Sequence, residues 1–277
     1  MKTHSFGPIY AFDNYFMDSE MAADPAAQAV LLKRLGYGAT YHSMKRKTPE
    51  GWATFLAWEE TSRQAGLPVV AYYTVLELGN EAPEDGHSVE EVIDHLPQGA
   101  VLELAISMSG AAPSDASRDD EVIGVLLPLI ALARSRGVTI SLYHHIWFLL
   151  ERIEDCVRLA EKINDPVLGV TFCGYHWYAV DGGDLAAKVR LAAPWMRLAN
   201  LCGSRTAPED AKHAGCLPKT IEPVGDGDFP LLEFMHALAD AGYSGPVGFQ
   251  GYKIAGHPTE TLLRSIRAWR GEGEGSS

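Results

Sequence analysis

The sequence lacks any apolar run long enough to cross a bilayer. Its longest, Val125–Ala133, is far shorter than a membrane span and contains Pro128. The first residues, Met1 to Ser5, include no apolar segment of the kind found in signal peptides. These absences predict a cytoplasmic protein without a membrane partner.

Cysteine and positive charge are also scarce. No two of the four cysteines have the C-x-x-C spacing, so free thiols are expected rather than disulfides or a zinc ribbon. There are 23 Lys and Arg against 36 Asp and Glu, a formal net charge of -13. Such a surface repels phosphate backbones, which predicts no nucleic-acid partner.

The composition is suited to one large core, because 47% of the 277 residues are hydrophobic and 21% are charged. Eight short β-rich runs alternate with helical stretches, the pattern of parallel strands joined by crossover helices. The fold class predicted is α/β, a single (βα)8 TIM barrel over residues 1–277, with 270–277 as a frayed tail. The predicted strands are Phe6–Phe12, Tyr37–His42, Pro68–Leu76, Ala100–Ser107, Val138–Tyr143, Val167–Cys173, Met196–Cys202 and Pro246–Gln250.

Local signals give some of the connections. Apolar residues recur at helical spacing over Trp147–Ile163, which predicts a helix there. Residues 203–215 are expected to form a long loop after the seventh strand. Four glycines are expected to end helices just before a strand: Gly36, Gly66, Gly137 and Gly242.

Alternation along the strands assigns side chains to the two faces of the barrel, because the helix-facing set must be apolar. On the fourth strand Leu102 and Leu104 face the helices, which turns Glu103 into the interior. The same reasoning points these further residues inward: Val101, Ala105, Ser107, Thr139, Ser141, Tyr143, His145, Thr171, Cys173, Gly248 and Gln250.

Polar side chains therefore converge at the carboxyl ends of the strands, where barrel enzymes place their chemistry. The set is Tyr143, His145, Cys173, His176 and Gln250, and His42 of the second strand is a further candidate. It predicts a sugar-sized polar pocket. The alternative is that these groups only satisfy one another in the barrel mouth.

Several segments resemble the xylose-isomerase-like sugar isomerase and epimerase superfamily. They are residues 35–37 (LGY), 65–67 (AGL), 137–142 (GVTISL), 168–172 (LGVTF), 221–227 (IEPVGDG) and 241–247 (AGYSGPV). The resemblance implies the barrel fold and a sugar substrate. Gly225-x-Gly227 lacks the third glycine and acidic partner of a dinucleotide loop.

The resemblance also implies a divalent ion held by a Glu, an Asp, a His and a Glu that end strands five to eight. This sequence departs from the family at each position, with Tyr143, Cys173, Asn200 or Cys202, and Gln250. Hard cations prefer carboxylate oxygen, so a divergent branch without the standard metal site is expected, and no cofactor. Only His176 fits a histidine that the family keeps.

The leading hypothesis is a metal-independent sugar isomerase, epimerase or lyase that moves a proton beside a carbonyl. His145 or His176 is the candidate base, with His176 expected to contribute most. Tyr143 and Gln250 are candidate donors to the substrate oxygen. Glu103 either orients a histidine or acts as a desolvated base.

Other residues are candidates for holding the sugar. Trp177 and Tyr252 follow strand ends, where aromatic rings stack on sugars, and Arg205 could bind a hydroxyl or carboxylate. His42 completes this group.

Three alternatives stay open. One is a soft-metal zinc site formed by Cys173, Cys202, His145 and His176. Another is a non-catalytic carbohydrate-binding barrel. An apurinic endonuclease, built on the same fold, is disfavoured by the acidic charge. The sequence does not indicate an oligomeric state.

Overall fold

The computed structural model describes residues 5–79, 86–207 and 217–272, and shows a barrel of eight parallel strands. Residues 208–215 of the predicted long loop and residues 273–277 of the predicted tail lie outside these ranges. The strands are β1 (Ile9–Ala11), β2 (Thr40–Ser43), β3 (Val69–Leu78), β4 (Val101–Met108), β5 (Thr139–Tyr143), β6 (Leu168–Cys173), β7 (Met196–Leu201) and β8 (Val247–Phe249). Neighbouring strands pair in parallel, in the order β2 to β8 and then β1. A bridge between Tyr10 and Ala39 joins β1 back to β2. The predicted (βα)8 barrel is confirmed.

Helices follow the strands and cover the outside of the barrel. They are α1 (Pro25–Leu35), α2 (Pro49–Gln64), α3 (Val89–His95), α4 (Asp119–Arg136), α5 (Ile153–Ile163), α6 (Gly174–Val180), α7 (Leu185–Ala192), α8 (Leu231–Asp240) and α9 (Pro258–Trp269). Short 3-10 helices lie at Asp13–Phe16 and Ala116–Arg118. Within the ranges described, no helix combines the length and apolar character needed to span a membrane.

One predicted helix begins later than its periodicity indicates. The apolar spacing suggested a start at Trp147, but α5 begins at Ile153. Trp147 has a φ of 68°, a left-handed conformation that a helix cannot contain, and its N–H donates to Glu151 Oε1 at 2.9 Å. The loop before α5 is therefore longer than predicted.

The predicted helix-ending glycines are confirmed. Gly36 and Gly137 are the residues that end α1 and α4, with φ of 87° and 68°. Gly66 and Gly242 each lie one residue beyond the residue that caps α2 or α8, with φ of 70° and 74°. Left-handed backbone favours glycine, so each turn into the next strand depends on it.

The core has two layers, as the strand alternation predicts. Leu102, Leu104 and Ile106 lie in the large cluster between strands and helices. A separate cluster fills the barrel interior with aromatic and small side chains: Tyr10, Phe12, Ala39, Tyr41, Ala71 and Leu198. The rings of Phe12 and Tyr41 stack at 3.9 Å between centroids. This inner cluster is the floor beneath the polar strand ends.

Gly248 makes room for the Tyr10 ring in this floor. A Cβ on Gly248 would lie 2.3 Å from Tyr10 Cζ, well inside van der Waals contact. The ring is fully buried and stacks against Tyr41, so it has little freedom to move. Gly248 is therefore required for the position of Tyr10.

We expect Gly248→Ala to destabilise the protein by about 1–3 kcal/mol, because it overpacks a filled interior. Gly124→Ala is the matched control, since a Cβ there meets nothing within 4 Å. Gly124 lies within α4, so alanine should stabilise that helix by roughly 0.5–1 kcal/mol. Chemical unfolding of both variants checks this. Equal effects at the two glycines would contradict the packing argument.

Candidate active site

Three of the predicted rim residues contact one another at the ends of β5, β6 and β8. The Tyr143 hydroxyl donates to Cys173 Sγ at 3.2 Å, and Cys173 Sγ lies 3.9 Å from Gln250 Oε1. Cys173 is fully buried, and Tyr143 and Gln250 are at most 8% exposed. The alternation of β5 and β6 puts these side chains on the barrel axis.

Two histidines extend this group just beyond the strand ends. The rings of His145 and His176 lie 4.1 Å apart between centroids, and the His176 ring meets Tyr143 edge-on at 5.5 Å. His176 is buried and His145 is half-buried. The structure thus brings together all five residues that the sequence placed at the rim.

The hydrogen bonding of His176 fixes which of its nitrogens carries a proton. The backbone N–H of Ile146 donates to His176 Nδ1 at 3.3 Å. Burial, together with the nearby His145 and His144, lowers the pKa of His176 well below its usual value, so the ring is neutral. The proton then lies on Nε2, which is buried and has no partner in the described residues. In this tautomer the Nε2–H of His176 is a hydrogen-bond donor.

The other two histidines are also neutral. Burial lowers the pKa of both His144 and His145 to about 4. His144 Nε2 accepts from the Cys173 N–H at 2.9 Å, which ties the end of β5 to the end of β6. A histidine with such a low pKa is a weak base, so the histidines supply structure and donors.

Glu103 is a buried carboxyl in the barrel interior, as the alternation of β4 predicts. The Tyr41 hydroxyl donates to Glu103 Oε2 at 2.5 Å. Burial raises the pKa of Glu103 to about 7, although the Tyr41 hydrogen bond opposes this. The side chains that pair with Glu103 in the described ranges are Tyr41, Thr171 and Asn200, and no histidine is among them. A pKa near neutrality is the condition that a general base needs at neutral pH.

Two polar residues beside Glu103, Tyr10 and Asn200, were not singled out as site residues. Within the described residues, Glu103 Oε1, the Tyr10 hydroxyl and both side-chain atoms of Asn200 form no hydrogen bond of good geometry. All three residues are fully buried, and Asn200 is near enough to act as a weak side-chain hydrogen-bond partner that lowers the pKa of both Tyr10 and Glu103. Buried polar groups are normally satisfied, and these side chains meet that need mainly through one another.

His42 does not lie at the rim, contrary to its candidacy. Its ring stacks on Trp58 of α2 at 4.1 Å between centroids, and its Nδ1 lies 3.0 Å from Asp13 Oδ2. Since Tyr41 points into the barrel, its neighbour His42 must point toward the helices.

Trp177 is likewise turned away from the mouth. It is buried in the core between strands and helices, packs against Phe229, and its Nε1 donates to the Gly183 carbonyl at 2.9 Å. Because α6 begins directly at Gly174, its rotation carries Trp177 to the outer face while His176 stays on the inner side.

Arg205 and Tyr252 lie exposed on the loops after β7 and β8. Arg205 Nε is 3.2 Å from Glu222 Oε1, an exposed pair of modest energetic weight. Tyr252 is 39% exposed and carries Lys253 Nζ 5.3 Å above its ring. Both stay on the side of the barrel where the polar strand ends lie.

An apolar roof packs over the rim, formed by Phe148, Tyr175, Leu217, Ile221 and Ile254. Cys202 is buried beneath it, and the Tyr175 hydroxyl donates to the Lys219 carbonyl at 2.9 Å. A ligand must displace part of this roof to touch the rim residues.

The positions where the family would hold a divalent ion do not suit one. Tyr143, Cys173, Asn200 and Gln250 offer a phenol, a thiol and two amides, and burial raises the pKa of Cys173 to about 12. A hard cation prefers carboxylates, and a softer one prefers thiolates or imidazoles. Among the described residues, no group of three or more His, Cys, Asp or Glu side chains is arranged so that it could hold a metal ion.

The closed eight-stranded barrel, with a polar site at the strand ends, places this protein among the (βα)8 barrels. The family model described as xylose isomerase-like TIM barrel matches residues 32–271. The chain belongs to the xylose isomerase-like TIM barrel family, as its sequence segments indicate.

Solved structures with the same fold include the IolI protein with a bound zinc atom, at 16% identity and a TM-score of 0.72, covering 94% of this chain and 95% of that one. The 3-keto-D-glucoside 4-epimerase YcjR of E. coli has 14% identity and a TM-score of 0.71 over 96% and 99% of the two chains. D-Allulose 3-epimerase of Methylomonas sp. has 13% identity and a TM-score of 0.71 over 99% and 100%. A search of curated sequences finds no match.

Proposed function

We propose that this protein is a sugar isomerase or epimerase that moves a proton at the carbon beside a carbonyl without the divalent ion usual in its family. The observation that carries the proposal is Glu103, a buried carboxyl with a pKa of about 7 inside the barrel. A base works best when its pKa lies near the working pH, and this carboxyl meets that condition.

Glu103 is the group that takes the proton from carbon. Oε2 accepts from the Tyr41 hydroxyl, while Thr171 and Asn200 lie beside the carboxyl and also lower its pKa, which leaves Oε1 as the oxygen that takes the proton. Desolvation keeps the carboxylate reactive because no water competes for its lone pairs.

His176 supplies a hydrogen bond to the oxygen on which charge develops. Its Nε2–H is buried without a partner, and the Ile146 N–H fixes the ring in this tautomer. A neutral imidazole can stabilise an enediolate by donating a hydrogen bond to its oxygen. Tyr143, packed against the His176 ring, and Gln250 are the other candidate donors.

Structures with this fold support a sugar as substrate class. The Methylomonas enzyme has been crystallised with D-allulose, and a D-psicose 3-epimerase with D-tagatose. Both ligands are ketoses, whose carbonyl has an acidic C–H beside it. The alternative of a non-catalytic carbohydrate-binding barrel differs in one respect, because it binds the sugar without exchanging that hydrogen.

The test is deuterium exchange followed by NMR. Unphosphorylated ketoses, D-allulose, D-tagatose and D-fructose, are incubated with the protein in D₂O, and loss of the C3 proton signal is recorded. We expect catalysed exchange on at least one of them, with the C3 epimer as product. Saturable binding of a ketose without exchange would support the binding barrel and contradict the proposal.

A further inference from the structure

We propose that the hairpin between β7 and α8 is a flap over the buried site, and that its movement away from α6 lets a ligand in. The inference does not depend on which reaction the protein catalyses. The flap consists of two arms, residues 203–207 and 217–222, which pair in antiparallel fashion. An opening is required because Cys173 and His176 are at most 1% exposed, so a ligand cannot touch them in this conformation.

The two arms of the flap are joined by backbone hydrogen bonds. Gly203 and Glu222 exchange two of them, at 2.9 and 2.8 Å. The Thr220 N–H donates to the Arg205 carbonyl at 2.8 Å, and the Ser204 hydroxyl donates to the Thr220 carbonyl at 2.7 Å. All these bonds lie within the hairpin, so they stay intact when the arms move together.

The base of the flap is fixed to the barrel. The Ser204 N–H donates to the Asp226 carbonyl at 3.2 Å, and the Asp228 N–H donates to the Ser204 carbonyl at 2.6 Å. Gly203 is packed so closely that a Cβ on it would lie 2.6 Å from the Asp226 carbonyl oxygen. Movement is therefore confined to the far part of the flap, beyond Ser204, which pivots on this base.

The far part of the flap is attached to α6 by two contacts, which we call the latch. The Tyr175 hydroxyl donates to the Lys219 carbonyl at 2.9 Å, and Lys219 Nζ lies 4.4 Å above the Tyr178 ring. Among the described residues, no other hydrogen bond or ion pair joins this far part to a neighbouring element. A neutral hydrogen bond and an exposed cation–π contact are weak enough to break and re-form.

Two other parts of the roof are anchored in the barrel itself. Phe148 lies in the loop before α5, and the next residue, Leu149, donates to a carbonyl of β4 at 3.1 Å. Tyr175 belongs to α6, which follows β6 without an intervening residue. The flap contributes Leu217 and Ile221 to the same roof. It can leave the roof without breaking bonds to a strand, so it is the part that opens.

Three buried thiols report where the molecule opens. Cys173 and Cys202 lie in the roof cluster, whereas Cys156 of α5 lies in the core between strands and helices. All three are fully buried. Iodoacetamide modifies only a thiol that becomes exposed, so its rate at each cysteine measures how often that part of the protein opens. Peptide mass spectrometry gives the three rates separately in the intact protein.

In the wild type we expect Cys173 and Cys202 to react at least about tenfold faster than Cys156, because moving the flap is a smaller event than unfolding α5. Tyr175→Phe keeps the ring and removes the latch hydroxyl. Loss of this hydrogen bond should raise the rates at Cys173 and Cys202 by about three- to tenfold and leave the rate at Cys156 unchanged.

Lys219→Met keeps the aliphatic stem and removes the charge above Tyr178. It should raise the rates at Cys173 and Cys202 by about two- to fivefold. The matched control is Tyr37→Phe, whose hydroxyl donates to the Leu262 carbonyl at the same 2.9 Å but outside the roof cluster. In this control the roof thiols should react no faster relative to Cys156 than in the wild type.

Two results would overturn the flap. Equal rates at the three cysteines of the wild type would mean that the site opens only when the protein unfolds. Rates at Cys173 and Cys202 that stay unchanged in both Tyr175→Phe and Lys219→Met would place the entrance at another part of the roof, such as the loop that carries Ile254. A rise at both roof thiols relative to Cys156 in either variant, absent from Tyr37→Phe, supports the flap.

Discussion

Glu103→Gln should reduce deuterium exchange by about 10³-fold, the middle of the range for a general base. Glutamine keeps the size of the side chain and can still accept from Tyr41, but it cannot take a proton from carbon. Because Glu103 is buried with a raised pKa, the substitution also replaces a group that is costly to ionise inside the barrel. Loss of activity should therefore come without loss of fold.

The pH dependence of the exchange rate tests whether Glu103 must be deprotonated to act. A base with a pKa of about 7 must be deprotonated to act, so exchange should rise about tenfold per pH unit below 7 and level off above it. In Glu103→Gln the residual exchange should lack this rise. Glu121→Gln, an exposed carboxyl at the start of α4, is the control and should keep the wild-type profile.

The free energy of unfolding should fall as pH rises, whereas the exchange rate should increase. The folded pKa of Glu103, about 7, exceeds its ordinary value of 4.5, so its contribution to stability is present below pH 4.5 and is lost as pH rises through 7. At pH 8 the glutamine variant should be more stable than wild type, by at most about 3 kcal/mol.

Deuterium exchange by Glu103→Gln at the wild-type rate would show that Glu103 is not the base.

His176→Ala should lower exchange by about 10²-fold, since it removes one preorganised donor to the developing oxyanion. His176→Gln should recover part of that loss, because its amide can also donate. The donor is neutral, so neither variant should move the pH at which exchange levels off. His236→Gln, exposed on α8, is the matched control.

Two results from the His176 variants would contradict the donor role of His176. Exchange by His176→Ala within about threefold of wild type would mean that this donor does not touch the reacting oxygen. A shift of the pH profile in His176→Gln would mean that His176 titrates during turnover and acts as a base.

The barrel and much of its interior could be predicted from the sequence because their signals are local. Alternating apolar residues on β4 assign Glu103 to the interior, and the same rule places Tyr143, Cys173 and Gln250 together. Glycines with left-handed φ mark the turns into strands. These features depend on one or two elements at a time.

Other placements depend on more than the local pattern. The strand β2 reads Thr40-Tyr41-His42-Ser43, which has no purely apolar face, so its alternation could not show that Tyr41 points inward and His42 outward. The orientation of Trp177 toward the helices follows from the start of α6 at Gly174, which the local pattern did not indicate. The meeting of Tyr10, Glu103 and Asn200 depends on three strands and their register, and the tautomer of His176 on a contact with the Ile146 backbone.

The central claim is that the proposed proton transfer needs no metal ion. Its direct test is the exchange rate of the purified protein, with metal content measured by elemental analysis, before and after treatment with chelator and after addition of Mn²⁺ or Zn²⁺. We predict less than stoichiometric metal and the same exchange rate in all four samples. Exchange that is abolished by chelator and restored by Mn²⁺ or Zn²⁺ would show that a metal ion carries the chemistry and would contradict the account.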